Sequence, residues 1–311
     1  MSRRVKQTVK DIKSLKVQGA RNVAKAGVRA MMYAVEDSKA KTVNGIKADV
    51  VKAALEISGA RPTEPMLRNY LDETIQFVAS EISTVKTRSV NKFRKMVLKS
   101  ENEYLRRMES DIRKLKDYGA SMLTSGMTIV THCHSSTVTG VIKEAHKRGK
   151  NLKVVACETR PRYQGRITAK ELSGAGVDVT ITVDLGVNRY LKKADVVLVG
   201  ADAINSTGDL VNKVGTSSLA RLAEIYDVDF FSCAESYKYD PLTMFGVRER
   251  IEERSSKEVW ERPPKKVNIS NPAFDVTSAH HINGYVTEMG ILPPSALPGI
   301  AEKKISQKRD G

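Results

Sequence analysis

The chain has 311 residues, of which 41% are hydrophobic and 28% charged. This composition predicts a soluble globular protein of about two domains, and it contains no run of ~18 uncharged apolar residues that would span a membrane. Its three cysteines, Cys133, Cys157 and Cys233, show no CxxC spacing, which argues against a disulfide scaffold or a cysteine-rich zinc site and favours a cytoplasmic location.

The formal net charge of +16 is unevenly distributed. Residues 1–120 hold 26 Lys and Arg against 14 Asp and Glu, so +12 of the charge lies in the first part of the chain. The basic N-terminus lacks the apolar stretch of a secretory signal. A basic region of this kind indicates a nucleic-acid partner, an anionic substrate or a solvated helical surface.

The first 118 residues have the pattern of helices. Apolar residues recur at spacings of three and four, both near residues 23–35 and again over residues 48–58, where the sequence at 59–62 ends the pattern. A long helical pattern follows over residues 65–118, without Pro or Gly between 66 and 117, and Gly119 is expected to end it. We therefore predict an N-terminal helical domain over residues 1–118.

The rest of the chain alternates between strands and helices. Short apolar runs are predicted to be strands, and helical stretches separate several of them. The predicted strands cover residues 127–133, 153–157, 177–183, 195–200 and 228–233. Strands that are apolar on both faces indicate a covered parallel sheet. The fold class is therefore α/β, with a Rossmann-like domain over residues 119–311.

Ligands of open parallel sheets bind beyond the carboxyl ends of the strands. Candidate phosphate-binding residues follow the predicted strands or open the predicted helices: Ser135, Ser136, Thr137, Arg160, Asn212, Lys213 and Lys238. Each Ser or Thr alone is more typical of a helix cap. Several hydroxyls and free N–H groups along one sheet edge, however, favour phosphate binding. The sequence lacks the GxxxxGK[ST] motif of a P-loop, and no GxGxxG follows the first strand.

Cys133 is placed at the end of the first predicted strand. An isolated cysteine is most often a small buried hydrophobe. Here a helix start and nearby cations are expected to lower the pKa of the thiol, which favours nucleophilic or acid–base chemistry. His132 and His134 flank it and are expected on the opposite face of the strand, with no third residue spaced to complete a metal site.

Asp202 follows an apolar strand, where an unpaired carboxylate is costly to bury. It is interpreted either as a helix cap or ion-pair partner, or as a general acid–base group. Cys157 and Cys233 lie at strand ends and are expected to be structural.

Six ordered motifs make the chain resemble a known family. They are THCHSS (131–136), ETRPRYQG (158–165), GADAI (200–204), NKVGT (212–216), AESYK (234–238) and NPAFDVT (271–277). Together they resemble the translation initiation factor 2B alpha/beta/delta family, which includes sugar-phosphate isomerases. The resemblance implies an N-terminal helical domain, a Rossmann-like domain and a homo-oligomer, either a dimer or a hexamer.

Within that family, the resemblance implies an aldose–ketose isomerase that converts ribose 1,5-bisphosphate to ribulose 1,5-bisphosphate in archaeal AMP and nucleoside degradation. It implies Cys133 and Asp202 as catalytic residues, with no cofactor. The implied substrate contacts are Gly19, Ala20, Arg61, Ser135 and its neighbours, Asn212, Lys213 and Lys238. The family pattern Arg-Gly-Ala-Gly is replaced by Gln-Gly-Ala-Arg at residues 18–21, so Arg21 is a further candidate cation.

Three other functions stay open from the sequence. One is an enzyme resembling methylthioribose-1-phosphate isomerase, which acts on a different sugar 1-phosphate. Another is a non-catalytic regulatory subunit that binds a translation initiation factor. The third is nucleic-acid binding through the basic helices, although no basic motif interleaved with aromatic residues supports it.

Overall fold

The computed structural model describes residues 2–84, 89–249 and 251–306. By its internal packing, the chain divides into one unit of Met1–Ser110 with Ala301–Gly311 and another of Asp111–Ile300. The helices within the described residues are all too short or too polar to cross a membrane.

The first unit is built from amphipathic helices. They are α1 (Arg3–Lys13), α2 (Ala20–Glu36), α3 (Val43–Ser58), α4 (Pro65–Thr84) and α5 (Val90–Met122), the last of which continues into the second unit. Side-chain oxygens of Ser2 and Thr42 cap α1 and α3 by accepting from backbone N–H groups. Their buried stripes, including Val23, Met31 and Val35 on α2, form one apolar core.

The long helical pattern over residues 65–118 corresponds to two helices, α4 and α5. Residues 85–88 between them lie outside the described part of the chain. The prediction that Gly119 ends the helix is wrong, since α5 continues to Met122. A Cβ at Gly119 would lie 2.7 Å from a methyl group of Val141. The glycine therefore lets α5 pack closely against the segment that holds Val141.

The second unit contains two sheets. Its strands are β1 (Thr128–Thr131), β2 (Lys153–Cys157), β3 (Asp178–Thr182), β4 (Val196–Val199), β5 (Ala203–Ile204), β6 (Leu210–Lys213), β7 (Asp229–Cys233), β8 (Phe274–Thr277), β9 (Gly284–Thr287) and β10 (Gly290–Leu292). Seven of them form a sheet in the order β10-β9-β7-β4-β1-β2-β3. Only β10 pairs antiparallel in this sheet. The predicted α/β class with a mostly parallel sheet is confirmed.

Helices separate most of the parallel strands. They are α6 (Ser136–Lys147), α7 (Gln164–Ser173), α8 (Asn188–Leu191) and α9 (Thr216–Ile225). A further helix, α10 (Leu297–Ser306), follows the last strand and ends in the first unit. Central strand β4 is buried throughout, as predicted. The edge strand β3 differs, because most of its residues are exposed or half-buried rather than covered on both faces.

A small antiparallel sheet, β5-β6-β8, was not predicted from the sequence. Its strands have at most four residues each, and β6 pairs with a strand some sixty residues later through contacts such as Val211 with Val276. This sheet holds Lys213 at the end of β6, a strand that the sequence analysis did not predict. The N–H of Asp202 donates to the carbonyl of Val211 (2.9 Å), which joins the site loop to the same sheet.

Candidate active site

The order of the large sheet contains a topological switch point between β1 and β4. The chain leaves β1 toward β2 on one side and leaves β4 toward β7 on the other. Ligands of such sheets bind at this point, beyond the carboxyl ends of the strands. Cys133 follows β1 and Asp202 follows β4. The two candidate catalytic residues therefore flank the place where the topology opens a crevice.

The loops after β1 and β4 approach each other closely. Gly200 directly follows β4, and a Cβ there would lie 2.8 Å from both Cβ and Oγ of Ser135. Any larger residue at position 200 would displace Ser135. The glycine thus brings the Asp202 loop against the start of α6.

Cys133 is half-buried. The protonation state of its side chain differs from the thiolate that the sequence analysis favoured. Burial raises the pKa of Cys133 to about 11, the positive charge of Lys213 opposes this rise, and the negative charges of Asp202 and Asp184 add to it. The expected lowering of the pKa is wrong, because the cost of desolvating a thiolate exceeds the attraction of Lys213. The thiol is protonated at neutral pH and lies within electrostatic reach of Asp202.

The backbone around Cys133 also differs from the predicted strand. Strand β1 ends at Thr131, and Cys133 has a left-handed conformation with φ of 67°. His132 Nε2 lies 2.8 Å from the Val214 carbonyl oxygen, and His134 Nδ1 lies 3.1 Å from Thr168 Oγ1. Strand alternation therefore does not decide where the histidines point. Burial lowers the pKa of both histidines, which favours the neutral rings.

Lys213 is a buried cation at the site. It is 8% exposed, and Nζ lies 5.8 Å from the centre of the Phe274 ring. Within residues 2–84, 89–249 and 251–306, its ammonium group has neither an ion pair nor a hydrogen bond. Burying a charge without a paired carboxylate is costly. An anionic group of a ligand would remove that cost.

The start of α6 has the geometry of a capped helix. Ser135 Oγ accepts from the N–H of Val138 (3.4 Å), so its interpretation as an N-cap is confirmed. Ser136 is exposed as the first residue of α6, and Thr137 is buried. Binding of a phosphate by these three residues stays a prediction.

The start of α9 was also predicted to bind phosphate, but two of its N–H groups already bond to a side chain of the protein. The carboxylate of Asp275 accepts from the N–H groups of Gly215 (2.7 Å) and Ser217 (3.2 Å). An internal anion therefore occupies the helix terminus. Asn212 is buried nearby, and its amide donates to Thr216 Oγ1 (3.1 Å).

The remaining cations of this unit divide into two groups. Lys238 is buried, donates to the carbonyl of Ala201 (2.8 Å) and lies 3.8 Å from Glu235, so it stands beside the Asp202 loop. Arg160 is exposed, and its guanidinium donates to the hydroxyl of Tyr163 (2.6 Å) and to the Val259 carbonyl (3.1 Å). The guanidinium of Arg160 is therefore held by Tyr163 and Val259, and its contact with a substrate stays a prediction.

The four predicted residues of the helical unit begin or precede helices. Gly19, with φ of 82°, is the N-cap of α2, and Ala20 is buried as its first residue. Arg21 donates to the Met108 carbonyl (3.1 Å) and pairs with Glu109. Arg61 is buried with its guanidinium 3.6 Å from Glu64. Contact between these four residues and a substrate stays a prediction.

Asp184 is a site residue that the sequence analysis missed. Its two oxygens accept from the N–H groups of Thr159 (2.7 Å) and Arg160 (2.8 Å) and so fix the loop after β2. The only sequence signal was an acidic residue directly after the third predicted strand. Ligand atoms of Asp184, His132 and Cys157 lie within 4.8 Å of one another, as a metal site would require. Since His132 and Asp184 already bond to the backbone, we assign this cluster a structural role.

The fold and site define a class of protein: an α/β domain carrying a thiol, a carboxylate and a buried lysine at its switch point, with a helical unit before it. The chain belongs to the Initiation factor 2 subunit family, whose profile matches residues 16–294. The resemblance drawn from the six motifs is thereby confirmed.

Relatives and solved structures agree with this assignment. Ribose 1,5-bisphosphate isomerase of Methanocaldococcus jannaschii is 37% identical over 96% of this chain and 94% of its own length. Methylthioribose-1-phosphate isomerase of Pelotomaculum thermopropionicum is 33% identical over 91% of this chain and 81% of its own. The crystal structure of Pyrococcus horikoshii OT3 translation initiation factor eIF-2B matches with a TM-score of 0.80 and 29% identity, covering 95% of this chain and 99% of that one.

Proposed function

We propose that the protein is an aldose–ketose isomerase that converts ribose 1,5-bisphosphate to ribulose 1,5-bisphosphate. The observation that carries the proposal is the buried Lys213 cation, whose charge acts on the Cys133 thiol together with that of Asp202. A phosphorylated sugar supplies the anion that Lys213 lacks, and it places carbon atoms between an acid and a base. The M. jannaschii relative named for this reaction supports the choice of substrate.

The proposed reaction begins with opening of the sugar ring, because the esterified anomeric oxygen of a sugar 1-phosphate locks it. The bond between C1 and the ring oxygen breaks, and the Cys133 thiol, protonated at neutral pH, gives its proton to that oxygen. C1 is left electron-poor. The hydrogen on C2 then moves to C1, while the 2-hydroxyl loses its proton and becomes the carbonyl.

Asp202 accepts the proton that this second step releases. The hydrogen travels either directly as a hydride or through Asp202 as a proton, and in both routes the electron pair of the C2–H bond ends on the sugar. No external oxidant or reductant is consumed. The proton on Asp202 returns to the Cys133 thiolate through solvent, which restores both groups. Isomerisation in D₂O separates the routes, since only the proton route places deuterium at C1.

Two phosphates require separate cationic positions in this proposal. Lys213 serves one of them, and Lys238 and Asn212, both buried, are further proposed contacts. The N–H groups at the start of α6, together with Ser135, Ser136 and Thr137, offer a further position. Gly19, Ala20, Arg21 and Arg61 of the helical unit complete the proposed set of substrate contacts.

The direct test is incubation of the protein with ribose 1,5-bisphosphate and detection of the ketose product by NMR. Methylthioribose 1-phosphate and 5-deoxyribose 1-phosphate serve as competing substrates, because relatives carry the names of both reactions. The bisphosphate is expected to give the highest kcat/KM. A higher kcat/KM with either monophosphate would overturn the choice of substrate, and no turnover of any sugar would overturn the isomerase.

A regulatory subunit is the second candidate, favoured by the match to the structure of P. horikoshii translation initiation factor eIF-2B. This function predicts binding of an initiation factor without turnover. Under the proposed function, the partners are the sugar bisphosphate and further copies of the chain, as a dimer or hexamer. Light scattering of the purified protein distinguishes these assemblies from a monomer.

A further inference from the structure

Two buried threonines bind the peptide of Cys133 on both sides. The N–H of Cys133 donates to Thr159 Oγ1 (2.9 Å), and the Cys133 carbonyl accepts from Thr168 Oγ1 (2.9 Å). Thr159 is 0% exposed and Thr168 is 1% exposed. Water therefore does not compete for these two hydrogen bonds, which strengthens both of them.

The direction of each bond follows from the single hydrogen of a hydroxyl. Thr159 donates that hydrogen to the carbonyl of Cys157 (3.1 Å), so its oxygen is an acceptor toward Cys133. Thr168 donates to the Cys133 carbonyl, so its oxygen accepts from Nδ1 of His134 (3.1 Å). The network thus assigns the proton of the neutral His134 ring to Nδ1. Replacing either hydroxyl leaves a buried polar group without its partner.

The conformation of Cys133 requires such support. Its φ of 67° lies in the left-handed region, where a side chain with Cβ is disfavoured. Thr159 has the same unusual conformation, with φ of 66°, and its own N–H is held by the carboxylate of Asp184. Strained residues of this kind persist only where their surroundings hold them, and they concentrate at functional sites. A line of hydrogen bonds from Asp184 through Thr159 therefore fixes the backbone of Cys133.

We propose that Thr159 and Thr168 are positioning residues, which keep Cys133 in the left-handed conformation and direct its thiol toward the crevice shared with Asp202. Neither threonine touches the reacting atoms in this role. The consequence for turnover rests on the proposed function. The orientation of the thiol can be tested independently of the proposed function, because the reactivity of Cys133 also reports it.

The test compares Thr159→Val and Thr168→Val with Thr159→Ser and Thr168→Ser. Valine keeps the shape and removes the hydroxyl, whereas serine keeps the hydroxyl. Thr277→Val is the matched control, since Thr277 is 0% exposed and its hydroxyl has no hydrogen-bond partner within the described chain. Each variant is assayed for kcat and KM with ribose 1,5-bisphosphate, and for alkylation of Cys133 by iodoacetamide at pH 8, mapped by peptide mass spectrometry.

Both valine variants are expected to lower kcat by up to ~100-fold with little change in KM, as misplacement of a reacting group does. Release of Cys133 toward water is expected to speed its alkylation by about 10-fold, which corresponds to one unit of pKa. The serine variants keep both rates near the wild-type values, and so does Thr277→Val. This split between valine and serine distinguishes positioning from general loss of stability.

Folded valine variants that match Thr277→Val in both rates overturn the proposal. If a valine variant does not fold, the serine variant of that position decides: unchanged rates support the proposal, and a large loss overturns it. A wild-type protein that turns over no sugar defeats the proposed function alone, because the alkylation rates still report whether the threonines direct the thiol.

Discussion

Two buried or half-buried cations, Arg107 of the helical unit and Lys213 of the sheet unit, have different surroundings. In the helical unit, Arg107 of α5 forms an ion pair and a hydrogen bond with the buried Glu73 of α4. Glu101 of α5, 0% exposed, accepts from Thr74 (2.7 Å). In the sheet unit, the buried ammonium of Lys213 has no comparable partner within the described residues.

This difference indicates whether a buried charge serves the stability of the fold or the binding of a ligand. Removal of one partner from a buried ion pair destabilises the fold, because it leaves the other charge unpaired in a medium of low polarity. An unpaired buried cation weakens the folded state and persists where a ligand supplies the missing charge. The comparison therefore predicts that replacing Arg107 lowers stability, whereas replacing Lys213 lowers activity.

The largest effects are expected from the two central residues of the sheet unit. Cys133→Ser and Asp202→Asn each remove a proposed proton-transfer group, so kcat should fall by ~10²–10⁴-fold. Circular dichroism and thermal unfolding should match the wild type. Asp178→Asn, an exposed change on edge strand β3, is the control and should keep full activity. Near-wild-type turnover by either variant would contradict its catalytic role.

Breaking the ion pair of the helical unit is expected to reduce stability. Arg107→Met leaves the carboxylate of Glu73 buried without that partner, and should lower the free energy of unfolding by about 3 kcal/mol. Urea unfolding monitored by circular dichroism measures the change. The neighbouring Arg106 is exposed, so Arg106→Met should have almost no effect. Equal stability of the two variants would show that the ion pair is not structural.

Lys213→Met tests whether the buried ammonium of the sheet unit serves substrate binding rather than stability. Loss of a charged hydrogen bond to substrate should lower kcat/KM by ~10–100-fold. The free energy of unfolding should stay constant or rise, because the buried charge that is removed forms no ion pair or hydrogen bond within the described residues. The same substitution at exposed Lys153 on β2 is the control. If Lys213→Met destabilised the protein as much as Arg107→Met, the lysine would have a structural role and the comparison would fail.

The same variant has a second readout at Cys133. The positive charge of Lys213 holds the pKa of that thiol below the level that burial alone would produce. Its removal should therefore raise the pKa above about 11 and shift the alkylation profile to higher pH. Lys153→Met should leave the profile unchanged.

The sequence predicted the parts of the fold that local periodicity encodes. Apolar spacing located the helices of the first unit and the five parallel strands β1–β4 and β7, because those patterns repeat within one element. The interruption between α4 and α5 carried no Gly or Pro signal. Strand β6 was missed because its partner β8 lies far along the chain, so its pairing is decided by tertiary structure.

The candidate site shows the same limit. The ends of the predicted strands made Cys133 and Asp202 candidates, and a predicted helix start made Lys213 one. The conformation and pKa of Cys133 depend on Thr159 and on burial, which no local pattern reveals. The start of α9 had the sequence of an anion site, but the carboxylate of Asp275, sixty residues away, already fills it.

The last test concerns Glu101, a buried carboxyl of the helical unit that accepts a hydrogen bond from Thr74. Burial raises the pKa of Glu101 from 4.5 to about 8, the Thr74 hydrogen bond opposes the rise, and the charge of Glu73 adds to it. Since the folded pKa lies above the unfolded one, the stability contribution is complete below pH 4.5 and is lost as pH rises through about 8.

Between those values, Glu101 ionises in the unfolded chain but stays protonated in the folded one. The free energy of unfolding should therefore fall by up to ~1 kcal/mol per pH unit. Glu101→Gln should flatten this dependence and make the protein more stable than the wild type at pH 8. Urea unfolding from pH 5 to pH 9 measures both slopes. Glu103→Gln, an exposed change on the same helix, should keep the wild-type slope. Parallel curves for Glu101→Gln and the wild type would contradict this prediction. They would mean that folding does not raise the pKa of Glu101, so that its buried carboxylate does not destabilise the helical unit.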